Sequence, residues 1–239
     1  MPIQFYAPDP QRVTDRVTML PQEGSISGGS KRPLNSYAIR VNGGDGPRTI
    51  LMDAPFSWLM DDLRARHAEA PILAHVLSHS DLAASGDAFA DQDAAFSAPV
   101  LLHPADRNDD ARALSVELHD PMGHPALADV EAIHMPGHTP GSVMLHLAGE
   151  RTLLTGDSAV GPGPEQEATP PRLQRPKMAP DDEAVFCDAI SQLLDRLPTL
   201  EAVLPLHGAW YRRNEIGDAA FDGALEAISE GEPMDPSKA

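Results

Sequence analysis

One histidine stands between two prolines and two glycines in the stretch Met135-Pro136-Gly137-His138-Thr139-Pro140-Gly141-Ser142. Apolar, strand-like runs flank this stretch at 130–134 and 143–147. Because proline fixes φ and glycine accepts a positive φ, we expect a stiff turn with unusual backbone angles. Such a turn suits a histidine that binds a metal ion or takes part in catalysis, since loops on a rigid scaffold often carry function. The alternative is a tight hairpin whose histidine faces solvent.

Three other segments show a related arrangement, in which an apolar strand ends in His or Asp. They are Val76-Leu77-Ser78-His79-Ser80-Asp81, Leu154-Thr155-Gly156-Asp157 and Leu204-Pro205-Leu206-His207-Gly208. Strand ends at one edge of a sheet converge on a common crevice, so we expect these side chains to meet. Imidazoles and carboxylates together are suitable ligands for zinc, manganese or iron. The four segments together therefore predict a metal site.

The spacing of apolar residues predicts strands that alternate with helices. The predicted strands are 12–20, 35–42, 49–53, 72–77, 99–102, 130–134, 142–147, 151–154 and 202–204. The predicted helices are 56–68, 181–197 and 214–229, with another beginning at Leu82, and residues 104–128 and 161–180 are predicted as loops. This order favours one layered α/β domain over residues 1–239, with a disordered tail at 231–239.

Composition limits the classes of partner. The net charge of −18 argues against nucleic acid and against an anionic membrane surface, both of which attract basic proteins. Cys187 is the single cysteine, so a disulfide within the chain and a cysteine-rich zinc site are both excluded. The first ten residues lack a basic start followed by an apolar run, and no apolar stretch approaches the roughly 18 residues that span a bilayer. We therefore expect a soluble, cytoplasmic protein with a small-molecule substrate, and the oligomeric state stays open.

These motifs resemble those of the metallo-β-lactamase-fold superfamily, which includes glyoxalase II-like thioesterases and many other hydrolases. The resemblance runs from Val13 to Tyr211, and Pro136-Gly137-His138-Thr139-Pro140-Gly141 is its most specific match. Asn35-Ser36-Tyr37 and Leu51-Met52-Asp53 are similar to the opening strands of that family. Thr155-Gly156-Asp157 resembles the segment with its metal-bridging aspartate, and Pro205-Leu206-His207-Gly208 the segment with its last histidine. The resemblance implies a four-layer αββα sandwich with the metal site at one edge of the two sheets.

The first metal motif departs from the family pattern. The family has His-x-His-x-Asp-His, whereas this chain has His79-Ser80-Asp81-Leu82-Ala83-Ala84. By resemblance, a first metal would keep His79, His138 and Asp157, with Asp81 as a substitute ligand. A second metal would keep only Asp157 and His207. Because alanine has no donor atom, we expect one metal.

Two of these residues also have a structural interpretation. Asp81 is either a ligand or the N-cap of the helix that begins at Leu82, since Asp is a preferred N-cap residue. His207 is either a ligand or a hydrogen-bonded histidine left beside an incomplete site.

The resemblance implies a hydrolase that attacks an ester, thioester or related acyl bond through a metal-bound hydroxide. Its cofactor would be one divalent metal ion, zinc first, with manganese or iron as alternatives. A metal with three or four such ligands and an open position lowers the pKa of bound water to roughly 7. Asp157 would orient that hydroxide as well as bind the metal, so it is the candidate catalytic residue. The lost ligands leave a second interpretation, in which the fold is kept for a non-catalytic binding or scaffold role.

Overall fold

Two β-sheets form the centre of the molecule in the computed structural model, which describes residues 4–25, 31–85, 88–163 and 170–234. The first sheet contains β1 Gln4–Tyr6, β2 Gln11–Arg12, β3 Val17–Ser25, β4 Lys31–Gly43, β5 Gly46–Met52, β6 Ile72–Val76, β7 Val100–Leu101 and β8 Leu118–His119. The second contains β9 Glu131–His134, β10 Val143–Leu147, β11 Thr152–Gly156, β12 Ala202–Pro205 and β13 Tyr211–Arg212.

Strand order explains why several strands end at the same edge. The first sheet has the order β1-β3-β4-β5-β6-β7-β8, with β2 paired to β3, and it is parallel from β5 onward. The second sheet has the order β13-β12-β11-β10-β9, and β11 and β12 are parallel. Parallel neighbours place their carboxyl ends side by side, so the segments after β11 and β12 emerge together.

Seven α-helices lie in the described ranges. They are α1 Met60–Glu69, α2 Asp81–Ser85, α3 Phe89–Phe96, α4 Asp109–Ala113, α5 Pro180–Arg196, α6 Arg213–Ile216 and α7 Asp218–Glu230. Acidic residues fill the first turn of α5 and Arg196 lies in its last, as the helix dipole favours. No helix within the described residues is both long enough and apolar enough to cross a membrane.

Alternation along the strands divides the apolar residues among three cores. Ile50 and Met52 of β5 belong to the central core between the sheets, whereas Leu51 points to the opposite face, towards α1 and α3. In the second sheet, Leu145 of β10 joins the central core, and Met144 packs with α5 and α7 on the outer face. The layers are therefore helix, sheet, sheet and helix, and the predicted αββα sandwich is confirmed.

Some local predictions differ from the structure. Residues 104–128, predicted as a loop, contain α4, β8 and two short 3₁₀ turns at Pro104–Asp106 and Pro125–Leu127. The helix predicted to begin at Leu82 is divided into α2 and α3. Of the predicted tail, Met234 donates its N–H to the carbonyl of Arg175, and 235–239 lie outside the described residues.

A buried histidine joins β6 to α3. Nε2 of His75 accepts the N–H of Ala54 at 3.0 Å, so its proton sits on Nδ1, which contacts Gln92 Oε1 at 2.9 Å. Gln92 in turn donates to the carbonyl of Ala54 at 2.7 Å. Burial lowers the pKa of His75 from 6.5 to about 4.

We predict that His75 makes the metal-free protein less stable in mild acid. In the unfolded chain His75 takes up a proton near pH 6.5, whereas in the folded chain it takes up a proton only near pH 4. The stabilisation is therefore fully present above pH 6.5 and is lost as the pH falls towards 4. Replacing His75→Gln removes this titration, so the stability difference between wild type and variant should shrink by about 3 kcal/mol between pH 7 and pH 4. Denaturant unfolding at several pH values measures it, and a difference independent of pH would contradict the prediction.

Candidate metal centre

Four loops bring the predicted ligands together at one edge of the two sheets. His79 follows β6, His138 lies between β9 and β10, Asp157 follows β11 directly, and His207 follows β12. The Nε2 atoms of all three histidines lie 3.7 Å from one atom, Oδ2 of Asp157. Two ligands that are each about 2.0–2.2 Å from one zinc ion can be at most about 4.4 Å apart. Each histidine taken alone is therefore close enough to Asp157 to share an ion with it.

Asp81 lies next to His138. Its Oδ2 is 3.4 Å from Nε2 of His138, and ligand atoms of His79, Asp81 and His138 lie within 4.8 Å of one another. Asp81 is the first residue of α2, so the helix begins one residue earlier than predicted, with Ser80 ahead of it. The carboxylate of Asp81 is therefore placed at the candidate site.

The proton on His207 can be assigned from its neighbour. Nδ1 of His207 lies 3.0 Å from the carbonyl oxygen of Pro33, which can only accept a hydrogen bond. In the neutral ring the proton is therefore on Nδ1, and the lone pair on Nε2 faces the carboxylate of Asp157. Two electron-rich atoms that face each other repel unless a cation or a proton lies between them. This arrangement fits a divalent metal ion.

Unsatisfied polar atoms support the same fit. Oδ1 of Asp157 is buried and has no hydrogen-bond partner among the described residues, and the buried Nε2 of His138 lies 3.4 Å from Oδ2 of Asp81 without meeting the geometry of a hydrogen bond. Buried polar groups without partners are costly, and a role as metal ligand is one known reason for them.

The pKa values of His79 and His138 shift in opposite directions. Burial is the main cause that lowers the pKa of His79, whose Nδ1 lies 2.9 Å from the hydroxyl of Ser78. Burial also acts to lower the pKa of His138, but the neighbouring carboxylates of Asp81 and Asp157 outweigh it and raise the pKa overall. The pKa of Asp81 is lowered in return, first by its interaction with His138. A metal ion would compete with the proton for His138, because it needs the unprotonated ring.

The first sheet holds the His207 loop in place. Nδ2 of Asn35 donates to the carbonyls of Pro205 at 3.1 Å and Gly208 at 3.0 Å, and the hydroxyl of Tyr37 donates to Pro205 at 2.7 Å. From the sequence, Asn35 and Tyr37 are predicted only as parts of an opening strand, and the structure assigns them these contacts.

Asp53 is a buried carboxylate that the sequence analysis left without a role at the site. It follows β5 with a φ of +56°, and its Oδ1 accepts the N–H of Ser78 at 2.7 Å. Burial raises the pKa of Asp53 to about 7. A carboxylate directly after a buried strand was the signal in the sequence, and its partner is a backbone N–H next to His79.

Close packing, rather than positive φ, explains the glycines around His138. Gly137 and Gly141 are not among the positive-φ residues of the described chain, so the predicted unusual backbone angles are wrong at these two positions. A Cβ at Gly137 would lie 2.6 Å from the Phe186 ring, and one at Gly141 would lie 2.6 Å from Cγ of Asp106. The turn is therefore closely packed at both glycines.

Part of the long loop after Asp157 is fixed to the protein body. Arg175 is buried, pairs with Glu183 of α5 and also donates to the carbonyls of Ile228 and Gly231. Its charge is thus neutralised inside the protein. Arg172 and Lys177 of the same segment are exposed.

Sequence comparisons give no relatives, since no protein-family model and no curated protein matches this chain. Solved structures do match. A metallo-β-lactamase from Pontibacter korlensis has 16% identity and a TM-score of 0.62, over 93% of this chain and 99% of its own. The metallo-β-lactamase FIM-1 from Pseudomonas aeruginosa, in its mono-zinc form, has 16% identity and a TM-score of 0.64, over 96% of each chain. A metallo-β-lactamase from Erythrobacter litoralis has 17% identity and a TM-score of 0.59, over 91% and 92%.

We predict that Asn35→Ala destabilises the metal-free protein by about 1–3 kcal/mol, because the buried carbonyl of Pro205 and the half-buried carbonyl of Gly208 each lose a donor. Asn42→Ala is the matched control, since Asn42 is an exposed residue of the same strand and its replacement should change stability by about 0.5 kcal/mol or less. Denaturant unfolding measures both variants. Equal effects of the two replacements would contradict the role given to Asn35.

Proposed function

This chain has the metallo-β-lactamase fold, and on that premise we propose that it is a metal-dependent hydrolase of an ester, thioester or related acyl bond. The observation that carries the proposal is the convergence of three Nε2 atoms on one oxygen of Asp157, each at 3.7 Å. The lone pair of His207 that faces this oxygen supports a cation there.

We propose one ion, held by His79, Asp81, His138 and Asp157, with His207 next to it. Ala83 packs in an apolar cluster and Ala84 has no donor atom, so a second complete ligand set is missing at these positions. Nitrogen and oxygen donors of this kind favour zinc, with manganese or iron as alternatives. When bound, such an ion supplies Lewis-acid chemistry, which acidifies water and polarises a carbonyl group.

Exposure indicates how a substrate would approach. The exposed fraction of the side chain rises from 4% for His79 and 12% for Asp157 to 39% for His207 and 66% for Asp81. The site therefore opens on the side of His207 and Asp81. A carboxylate at this opening, in a chain of net charge −18, favours neutral or cationic small molecules over nucleic acids.

Asp157 is the proposed catalytic residue. Its Oδ2 faces the three imidazoles, and its buried Oδ1 has no partner within the described residues. We propose that Oδ1, the oxygen that does not face the imidazoles, accepts a proton from the attacking water. In the reaction, the water oxygen bonds to the acyl carbon, the carbon–oxygen or carbon–sulfur bond breaks, and the proton passes to the leaving group.

A second candidate function is a non-catalytic binding role in the same fold. The observation that favours it is the presence of Ala83 and Ala84 in the motif where the family has ligands. A small molecule would then bind at the opening without being hydrolysed.

We predict about one metal ion per chain after purification without chelator, as a site with these ligands implies. His138→Ala should reduce this content to near zero, because it removes a nitrogen central to the cluster. His119→Ala is the control, since that imidazole contacts the ring of His124 and is not a proposed ligand. Metal analysis measures all three proteins. A chain that cannot be loaded with zinc, manganese or iron would exclude the hydrolase, and two tightly bound ions would contradict the single site.

We further predict that Asp157→Asn lowers kcat on an ester or thioester by a factor of about 10²–10⁴, the usual contribution of a general base. A panel of neutral and cationic esters and thioesters, tested on the metal-loaded protein, provides the substrate. An unchanged kcat would remove Asp157 from the mechanism. A metal-loaded wild type that hydrolyses none of the panel would favour the binding role.

A further inference from the structure

Asp106 connects two loops of the candidate site. One loop carries His79, and the other carries His138. Asp106 lies at the end of the 3₁₀ turn Pro104–Asp106 and only 2% of its surface is exposed. Its Oδ2 accepts the N–H of Ser80 at 2.9 Å, and its Oδ1 accepts the N–H of Gly141 at 2.7 Å. The hydroxyl of Thr139 donates to Oδ2 at 2.6 Å. One carboxylate thus accepts three hydrogen bonds from two different loops.

The positions of these donors relate Asp106 to the candidate ligands. Ser80 lies between His79 and Asp81, and Thr139 directly follows His138. Asp106 holds the backbone of both loops and is hydrogen-bonded to none of these three side chains. Its hydrogen bonds therefore act on the ligands through their loops, and its charge also acts on His138 directly.

Further hydrogen bonds fix the loop that carries His138. The hydroxyl proton of Thr139 goes to Asp106, so at the 2.8 Å contact with Ser142 the hydroxyl of Ser142 is the donor. The same Ser142 oxygen accepts the N–H of Thr139 at 3.0 Å. At Gly141, a Cβ would lie within 2.8 Å of three Asp106 atoms, so the glycine lets the turn come close enough to bond.

We propose that Asp106 is a positioning residue that sets the separation between the His79–Asp81 loop and His138, and thereby the affinity for the metal ion. The inference rests on the proposed function, since it concerns the same ion. A backbone bond on the other side, from the N–H of Val143 to the carbonyl of Ser78 at 2.9 Å, also joins these loops. Asp106 adds the attachment nearest to Ser80 and Thr139.

Asp106→Asn tests the proposal, because an amide keeps the shape and has only one acceptor oxygen. If that oxygen faces Gly141, the NH₂ group faces the N–H of Ser80, and the flipped amide reverses the conflict. We expect the variant to fold and its dissociation constant for zinc to rise by about tenfold or more, as for other residues that orient metal ligands. Asp110→Asn is the matched control, because it removes the same charge from an exposed position on α4.

Two measurements separate positioning from general stability. Competition with a chelator gives the zinc dissociation constant, and hydrogen exchange of the metal-free protein reports on the amides of Ser80 and Gly141. We expect Asp106→Asn to weaken zinc binding and speed exchange at both amides, with neither change in Asp110→Asn. If exchange speeds up and zinc binding stays at the wild-type level, the proposal is overturned.

Other outcomes are also decisive. A wild-type protein that binds no zinc, manganese or iron defeats the proposed function, and the affinity role of Asp106 with it, while the exchange data still report on the attachment of the loops. If Asp106→Asn does not fold, Thr139→Val removes one of the three hydrogen bonds without changing the charge. Weaker zinc binding by that variant supports the proposal, and unchanged binding overturns it.

Discussion

Backbone hydrogen bonds from strands of one sheet to loops of the other are the constraint on which the candidate site depends. The ligands come from both sheets, so the site exists only where the loops of one sheet are fastened to those of the other. The N–H of Val143 bonds to Ser78, and the N–H of Asn35 bonds to Leu206. Side chains complete this attachment, with Asn35 and Tyr37 on the His207 loop and Asp106 between the His79 and His138 loops. Two sheets that were each stable alone would not bring the five candidate ligands together without these bonds.

The longer helices and strands could be predicted well from the sequence, because a periodic pattern becomes visible only over several residues. The helix predicted at 181–197 is Pro180–Arg196, and the strand predicted at 72–77 is Ile72–Val76. Short elements were missed, since the five residues of α4 and the two of β8 cannot show a period. The layered αββα order followed from the alternation of strands and helices together with the family resemblance.

The candidate ligands could be predicted from the sequence, whereas the residues that hold their loops in place could not. His79, His138, Asp157 and His207 share a visible pattern, an apolar run that ends in a donor. Asp106 has no such pattern, because its partners are backbone N–H groups 26 and 35 residues away. The contact of Asn35 with Pro205 spans 170 residues, and only the fold brings the two together. Residues that hold a backbone leave little trace in the sequence, whereas residues that could hold an ion are recognised by their chemistry.

The exposure of Asp81 has a consequence for kinetics. Its side chain is the most exposed of the five, whereas His79 is almost completely buried. Water can reach and replace the carboxylate of Asp81 more readily than it can replace a buried imidazole. An ion held in this cluster would therefore enter and leave past Asp81, so this residue would control the speed of metal exchange even where the imidazoles provide most of the binding strength. Of the candidate ligands, Asp81 would then be replaced by water most readily, and His79 least readily.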